Sequence, residues 1–494
     1  MSRFFFAGLL ALLATSVTGN EVFAQTFAWA QFTNGTHGKA VGTDSAGNSY
    51  VIGDFTSSVT FPGLTLTASQ SGAIEGFLAK YDSNGGFQWA RQISGISTMS
   101  NSPLEDPPTH GGLFVSSTGD IYITGTTYGY GNSVTFKSKN SNDNKTVQST
   151  SKWKGLFLIR YDNQGNIKWL KQATCAKGSV WGRGVTADNN NNIYITGAFD
   201  EDVVFENGAA LSANNAACAL IAKYDQAGNL QWVKKAVGGS ETEGRAIAFH
   251  RLNGNEALYV TGHFAGNLTI GSINTGEGGQ SYASFKAKGK RDAFLAKFLP
   301  STGEFVWAQQ GGFADPNSIT TPNGIVAFNT GVYITGIFYK ATQFGSFKVS
   351  GLTKANYFIA GFSLAGGVTY YVRGAGSNTD ESYGFGICLD NKGTFYVTGM
   401  FKGTMIIDGK SITSAGNRDI FIARYNISGH ALWLAIAGGT TETSGTGGAD
   451  WGASISTDNL GSVWITGFAN GKDAAFGTIK ATARDFFIAK MKGY

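Results

Sequence analysis

The chain has 494 residues but only 7 Pro, 3 Cys and 5 His, and its charged residues make up 14%. Each shortage excludes something. Few Pro together with 13% aromatics argue against a disordered or Pro-rich chain. Three cysteines (Cys175, Cys218 and Cys388) cannot build a disulfide scaffold. Cys218 and Cys388 lie in apolar strand patterns and read as small buried hydrophobes, with one Cys175–Cys218 bridge left open. No CxxC or HExxH pattern occurs, so nothing points to zinc, and no metal or cofactor is expected. The five histidines (His37, His110, His250, His263 and His430) have no nucleophile motif beside them. A net charge of +5 is too mild for a nucleic-acid partner, which needs a concentrated basic patch. Charge is also about half the usual ~25%.

Long apolar runs are missing too, apart from Phe4–Ala14, which follows Arg3. That run is too short to span about 30 Å of hydrocarbon. Val22-Phe23-Ala24 offers small residues at the −3 and −1 positions. Residues 1–24 therefore read as a secretory signal peptide cleaved before Gln25, and residues 25–494 as one exported domain, secreted, periplasmic or at the cell surface. No Cys follows the cleavage point, so lipid anchoring is not expected.

Glycine is abundant, with 70 residues. It opposes long helices, and without a G-X-Y period it is not collagen-like. A large all-β protein follows. The glycines have an order. A Tyr-x-(Thr/Ile)-Gly pattern ends at Gly53, Gly125, Gly197, Gly262, Gly336, Gly399 and Gly467, with Trp464 replacing Tyr in the last copy. A second pattern, Phe-Leu-Ala-Lys-Tyr-Asp, starts 20 to 32 residues later, at Phe77, Phe157, Leu220, Phe294, Phe358, Phe421 and Phe487. A Gly turn and an aromatic complete six units: Trp89, Trp169, Trp232, Trp307, Tyr370 and Trp433. Alternating residues and Gly/Asn/Asp turns make each unit four short strands, A to D. Seven such units predict a seven-bladed β-propeller of four-stranded antiparallel blades. The seventh unit ends after its strand C, whereas Phe27–Phe32 looks like a strand D lacking its own A, B and C. The N-terminal strand is therefore expected to complete blade seven, a closure that removes exposed edges.

With stretches such as Asp188–Gly197 and Tyr224–Trp232, the chain resembles the SBBP-type β-propeller repeat of bacterial secreted proteins. The resemblance covers nearly all of the chain after residue 24. It implies a propeller and supplies no catalytic residues. Blade five departs most, with Tyr370 for Trp and Gly361 where other blades carry Lys or Arg. The Asp-x-x-Gly-x-x-x-Trp turns are also similar to the tryptophan-docking repeats of quinoprotein dehydrogenases, but those have eight blades and, in many members, adjacent cysteines.

In an A-B-C-D meander the A–B and C–D turns share one face, and the longer B–C and D-to-A connections share the other. Loops on a rigid scaffold carry function, which favours the second face. Its longest B–C segments belong to blades two and four. They include Tyr128, Tyr130 and Trp153, and His263 with Lys286–Arg291. A Gly is also expected to start every strand A at the channel mouth: Gly38, Gly111, Gly182, Gly244, Gly324, Gly384 and Gly452. The residues before them do not repeat: His37, His110, Trp181, Glu243, Asn323, Tyr383 and Trp451. Together with Trp153 they form the candidate binding set, since aromatic faces beside hydrogen-bonding groups suit a sugar or a peptide. The bland alternative is that they fill blade junctions. The D-to-A acids Asp106, Glu241, Asp315, Asp380, Glu442 and Asp450 read as solvated loop acids, with Ca²⁺ as the alternative. The column Lys80, Arg160, Lys223, Lys297, Arg424 and Lys490 repeats and so reads as structural, stems packed and heads in water. The functional expectation is a non-catalytic binding or scaffold module for a protein or glycan at the cell surface, with no obligate oligomer. The alternative is a polysaccharide-acting hydrolase or lyase with paired carboxylates at the channel mouth.

Overall fold

The computed structural model describes residues 26–34, 36–70, 73–95, 112–127, 133–148, 154–214, 216–271, 282–349, 353–373, 380–440, 449–470, 473–481 and 484–492. The proposed leader, residues 1–24, lies outside them.

The chain is a seven-bladed propeller of antiparallel sheets. Strands A to D of blade 1 are Thr36–Thr43, Ser49–Thr56, Ile74–Tyr81 and Phe87–Ser94. Those of blade 2 are Leu113–Val115, Ile121–Thr127, Gly155–Tyr161 and Ile167–Cys175, and of blade 3 Val180–Ala187, Ile193–Phe199, Cys218–Tyr224 and Leu230–Val237. Blade 4 has Glu241–Leu252, Asn255–Ala265, Asp292–Phe298 and Phe305–Gly311, and blade 5 Ile319–Phe328, Gly331–Tyr339, Asn356–Phe362 and Val368–Arg373. Blade 6 has Glu381–Leu389, Phe395–Lys402, Asp419–Tyr425 and Ala431–Ala437. Blade 7 takes strands A to C from Trp451–Thr457, Val463–Asn470 and Arg484–Met491, and Phe27–Asn34 lies antiparallel to the last of these as its fourth strand.

The repeated residues form one row across each blade. Tyr194 on strand B, Lys223 on strand C and Trp232 on strand D are cross-strand partners. Tyr50, Lys80 and Trp89 repeat the row in blade 1, and Trp464, Lys490 and Trp29 in blade 7. The basic head lies over the strand-B ring, 5.3 Å from its centre for Lys223 and 4.8 Å for Lys490, a cation–π contact. It then reaches the next blade. Lys80 Nζ donates to Asn163 O at 3.1 Å, Lys223 Nζ to Pro300 O at 3.1 Å and Lys490 Nζ to Ser83 O at 2.7 Å. Two strand-D indoles donate to the same carbonyls, Trp89 to Asn163 and Trp232 to Pro300. The heads therefore do not lie simply in water. They clasp neighbouring blades, because a row at the blade end faces the next blade's C–D turn. In blade 5 no basic residue fills the row, and Tyr333 stacks on Tyr370 at 5.9 Å across Gly361.

A second device sets blade spacing. The Thr of the strand-B motif is buried and donates to a strand-C carbonyl, as Thr124 does to Phe157 O at 2.9 Å and Thr196 to Leu220 O at 2.8 Å. The strand-A glycine of the following blade packs on that hydroxyl: a Cβ on Gly182 would overlap Thr124 Oγ1, and one on Gly244 would overlap Thr196 Oγ1. The blades thus approach more closely than any side chain at these glycines would allow. Between them lies the core, with Leu156 and Leu158 of blade 2 buried against Val185, Ile193 and Ile195 of blade 3.

The described parts of the long B–C segments are not open loops. Each carries a short hairpin, and in blades 2 to 5 its first strand pairs with strand D of the preceding blade. The blade-2 hairpin, Ser133–Phe136 with Lys145–Gln148, pairs through Thr135 and Phe136 with Ser94 and Ile93. The blade-4 hairpin, Asn267–Gly271 with Tyr282–Lys286, pairs with Ala236 and Val237. These insertions cover the outer edges, a standard protection against edge-to-edge association. Tyr128, Tyr130 and Trp153 lie outside the described residues. The cysteines are free and buried.

Candidate functional site

Every described strand A except that of blade 2 carries a β-bulge at its start. Gly38 pairs with Gly53 and Ala40 with Ile52, leaving Lys39 as the extra residue. The same irregularity singles out Arg183, Arg245, Asn323, Phe385 and Ala453. Bulges re-aim side chains, and all six residues line one axial cavity of about 200 Å³.

The register corrects one alignment. In blade 5 it is Pro322 that pairs with the motif Gly336. Asn323 is therefore the bulge residue, and Thr321 is the counterpart of His37, Trp181, Glu243, Tyr383 and Trp451. The carbonyls agree: a Cβ on Gly336 would overlap Thr321 O, as one on Gly197 would overlap Trp181 O and one on Gly467 Trp451 O. In blade 2 Leu113 pairs with Ile123, which puts Gly112 level with Ala40. His110 and Gly111 lie outside the described residues, as do Asp106 and Glu442.

The mouth has a charged half and an aromatic half. On the charged half Glu243 is 7% exposed. It accepts from Trp181 Nε1 at 2.8 Å, pairs with Arg183, and pairs with Arg245 Nη1 at 3.0 Å. Arg245 Nη2 donates to Asn323 Oδ1 at 3.1 Å, and Asn323 Nδ2 to Gly384 O at 2.8 Å. One chain of polar contacts thus crosses blades 3 to 6. Burial pushes the Glu243 carboxyl up, but the Arg183 and Arg245 guanidiniums outweigh it and hold the group well below the usual carboxylate range. Beside it His263 is buried on strand B, not on a loop. Its Nε2 faces Glu241 Oε1 at 3.4 Å, and Arg291 pairs with the same oxygen. The His263 hydrogen bond, followed by the Arg291 charge, lowers Glu241 to about 2, while burial pushes the imidazole down.

On the aromatic half His37 stacks on Trp451 at 5.7 Å and meets Phe468 at 4.6 Å. Tyr383 packs near Phe385 at 6.2 Å, and its hydroxyl points to Glu381 at 3.4 Å. Trp451 is only 8% exposed, whereas His37, Trp181 and Tyr383 are half-buried. His37 Nδ1 lies 3.0 Å from Asp54, which also pairs with Lys39 at 3.4 Å. Burial raises the Asp54 carboxyl, but Lys39 and His37 more than reverse it.

The arrangement brings together His37 with Trp451, and Trp181 with Glu243 and Asn323. Sequence reasoning missed Lys39, Arg183, Arg245 and Phe385. The signal was present one place after the aligned glycine, where the residues also fail to repeat and several are basic. Chemically, the carboxylates beside the channel, Asp54 and Glu243, are ionised and committed to cations. A general acid needs the opposite shift. Among the described residues no three His, Cys, Asp or Glu side chains group to hold a metal, and no helix is long and apolar enough to cross a membrane.

The family match agrees with the fold. Residues 168–198 match the SBBP beta-propeller repeat family, a stretch that runs from strand D of blade 2 through strands A and B of blade 3 and so straddles a blade boundary. An uncharacterized WD repeat-containing protein of Acanthamoeba polyphaga mimivirus is 26% identical over 226 residues, 40% of this chain. This chain spans 16% of that protein's length. Among solved structures, a quinohemoprotein alcohol dehydrogenase from Pseudomonas putida is 12% identical, covering 94% of this chain and 76% of its own with a TM-score of 0.34. A leech intramolecular trans-sialidase is 8% identical, covering 95% and 92% with a TM-score of 0.25. The chain is a seven-bladed propeller that carries the SBBP beta-propeller repeat.

Proposed function

We propose that the protein is an exported, non-catalytic binding module that holds a protein partner, or a glycan, at the channel mouth on the face of the D-to-A connections. The observation that carries this reading is the division of the mouth. At the two mouth positions that are equivalent by register, blades 3 and 4 hold Trp181 with Arg183 and Glu243 with Arg245, whereas blades 6 and 7 hold Tyr383 with Phe385 and Trp451 with Ala453, on a ring whose other motif positions largely repeat. Variation confined to one mouth of a rigid scaffold is what recognition requires. The likeness to a protein named for WD repeats is in keeping with an interaction module, and export follows from the leader read in residues 1–24.

The test is a glycan array together with cross-linked capture from the envelope fraction of the producing cell, run for the natural chain and for a Trp181→Ala/Tyr383→Ala variant. Both side chains are half-buried at the mouth, so the variant should keep its melting temperature and lose the captured partner. Unchanged capture would remove the mouth as the site. Hydrolytic turnover of a polysaccharide with no bound partner would replace this reading by an enzymatic one.

A further inference from the structure

Among the residues whose side chains are described, three blades start strand C with a buried acid at one equivalent position: Glu75, Asp292 and Asp419. In two of them a strand-D glutamine supplies the donor. Gln92 Nε2 reaches Glu75, and Gln310 Nε2 reaches Asp292 at 2.6 Å. In blade 6 the register puts Ile436 opposite Phe421, where Gln92 stands opposite Phe77 and Gln310 opposite Phe294. The amide is gone, and the acid remains. Asp419 Oδ2 still accepts from Ala415 N at 2.5 Å, but its Oδ1 has no hydrogen-bond partner and is fully buried.

A second buried acid borders the same small space beside Gly438. A Cβ on Gly438 would overlap Asp419 Oδ1 and lie 2.9 Å from Asp450 Oδ2, so the two oxygens flank one point. Asp450 is 4% exposed. Its oxygens accept from Asn470 N at 2.5 Å and Gly439 N at 3.0 Å, which ties blade 7 to the end of blade 6. Among the described residues the neighbouring charged groups named by the geometry do not neutralise the pair. Asp473, on the B–C segment of blade 7, adds a third carboxylate engaged with Thr440. The Arg418 guanidinium, on the chain beside Asp419, is paired with Glu381 at 2.6 Å. Two buried carboxylates this close cannot both stay ionised without a positive charge between them.

We propose that Asp419 and Asp450 share one proton and form a pH-sensitive latch across the junction of blades 6 and 7. Burial raises both carboxyls, Asp473 adds to it in each and Asp419 adds to it in Asp450, and together these outweigh the backbone N–H groups that pull them down, leaving Asp419 raised and Asp450 at about 7. The folded chain then keeps a proton that the unfolded chain has already released, so stability falls as pH rises from the ordinary carboxylate range to about 7 and levels off above it. The latch stands apart from the binding reading and does not depend on it.

The test uses the full chain. Melting temperature should fall between about pH 5 and pH 8, and the slope should flatten in Asp450→Asn, whose amide can donate permanently to Asp419. Infrared spectra near pH 6 should show a carboxylic-acid band in the natural chain that Asp450→Asn lacks. Ile436→Gln restores the donor of blades 1 and 4. It should flatten the slope on its own, which keeps the test open if Asp450→Asn folds poorly. An equal slope in these variants, or no carboxylic-acid band in the natural chain, would overturn the proposal. So would millimolar calcium stabilising the natural chain at pH 8 but not Asp450→Asn, which would assign the two oxygens to a cation.

Discussion

Glu243 shows how much one side chain carries. Its carboxylate is the partner of Arg183 and of Arg245, whose side chain is 2% exposed. Replacing it by Gln removes the carboxylate that the two guanidiniums share, so a loss of about 3–5 kcal/mol is expected in denaturant unfolding. Its pH dependence runs opposite to that of the Asp419–Asp450 pair. A carboxyl held below its ordinary value contributes stability above the unfolded pKa and loses it as pH falls. The same unfolding experiment, repeated down from about pH 5, should show that loss in the natural chain and less of it in Glu243→Gln. A second residue prediction concerns Gly244, where a Cβ would overlap Thr196 Oγ1. Gly244→Ala should cost about 1–3 kcal/mol through overpacking, whereas Gly208→Ala, with open space around it but a φ of +84°, tests backbone strain alone. Residues of this kind were readable because they recur: the motif Thr, the strand-C cation and the strand-D Trp each serve the same inter-blade contact. Asn323 was misplaced because Pro322 fills the glycine's position in blade 5, and a proline lacking an N–H broke the pattern used to align it.

At the level of strands and hairpins the outcome divides. Strand identities followed from period and turn chemistry. The B–C segments read as long, irregular loops, whereas each carries a short hairpin. In blades 2 to 5 these hairpins pair with the free N–H and C=O groups of the neighbouring strand D, a pairing between segments distant in sequence that no local pattern reveals. Replacing Ser133–Gln148 by a short flexible link should bare the outer edge of Phe87–Ser94. Size-exclusion chromatography should then show higher-order species while partner capture persists. The strand-A bulges were equally hidden, since one extra residue in a ladder has no composition signature, yet they choose which side chains line the channel.

For the molecule as a whole the seam between the last and first blades reuses the cation and ring-packing contacts of the other junctions, without the indole hydrogen bond. Trp29 pairs with Lys490 and packs on Gly85 of blade 1, while Lys490 reaches Ser83 O. Deleting residues 25–35 removes a strand that lies against Phe476 and Trp464. The melting temperature should drop, with Trp29→Ala alone costing up to about 3–5 kcal/mol. An unchanged melting temperature would mean that this strand does not hold the ring. Seven similar units, each with one strand-A to strand-D meander, were legible along the chain because repetition writes the same local physics seven times. The division of the mouth into charged and aromatic halves, and the meeting of Asp419 with Asp450, were not. Those depend on residues from different blades converging at the axis and at a junction, and convergence is set by how the blades pack against one another.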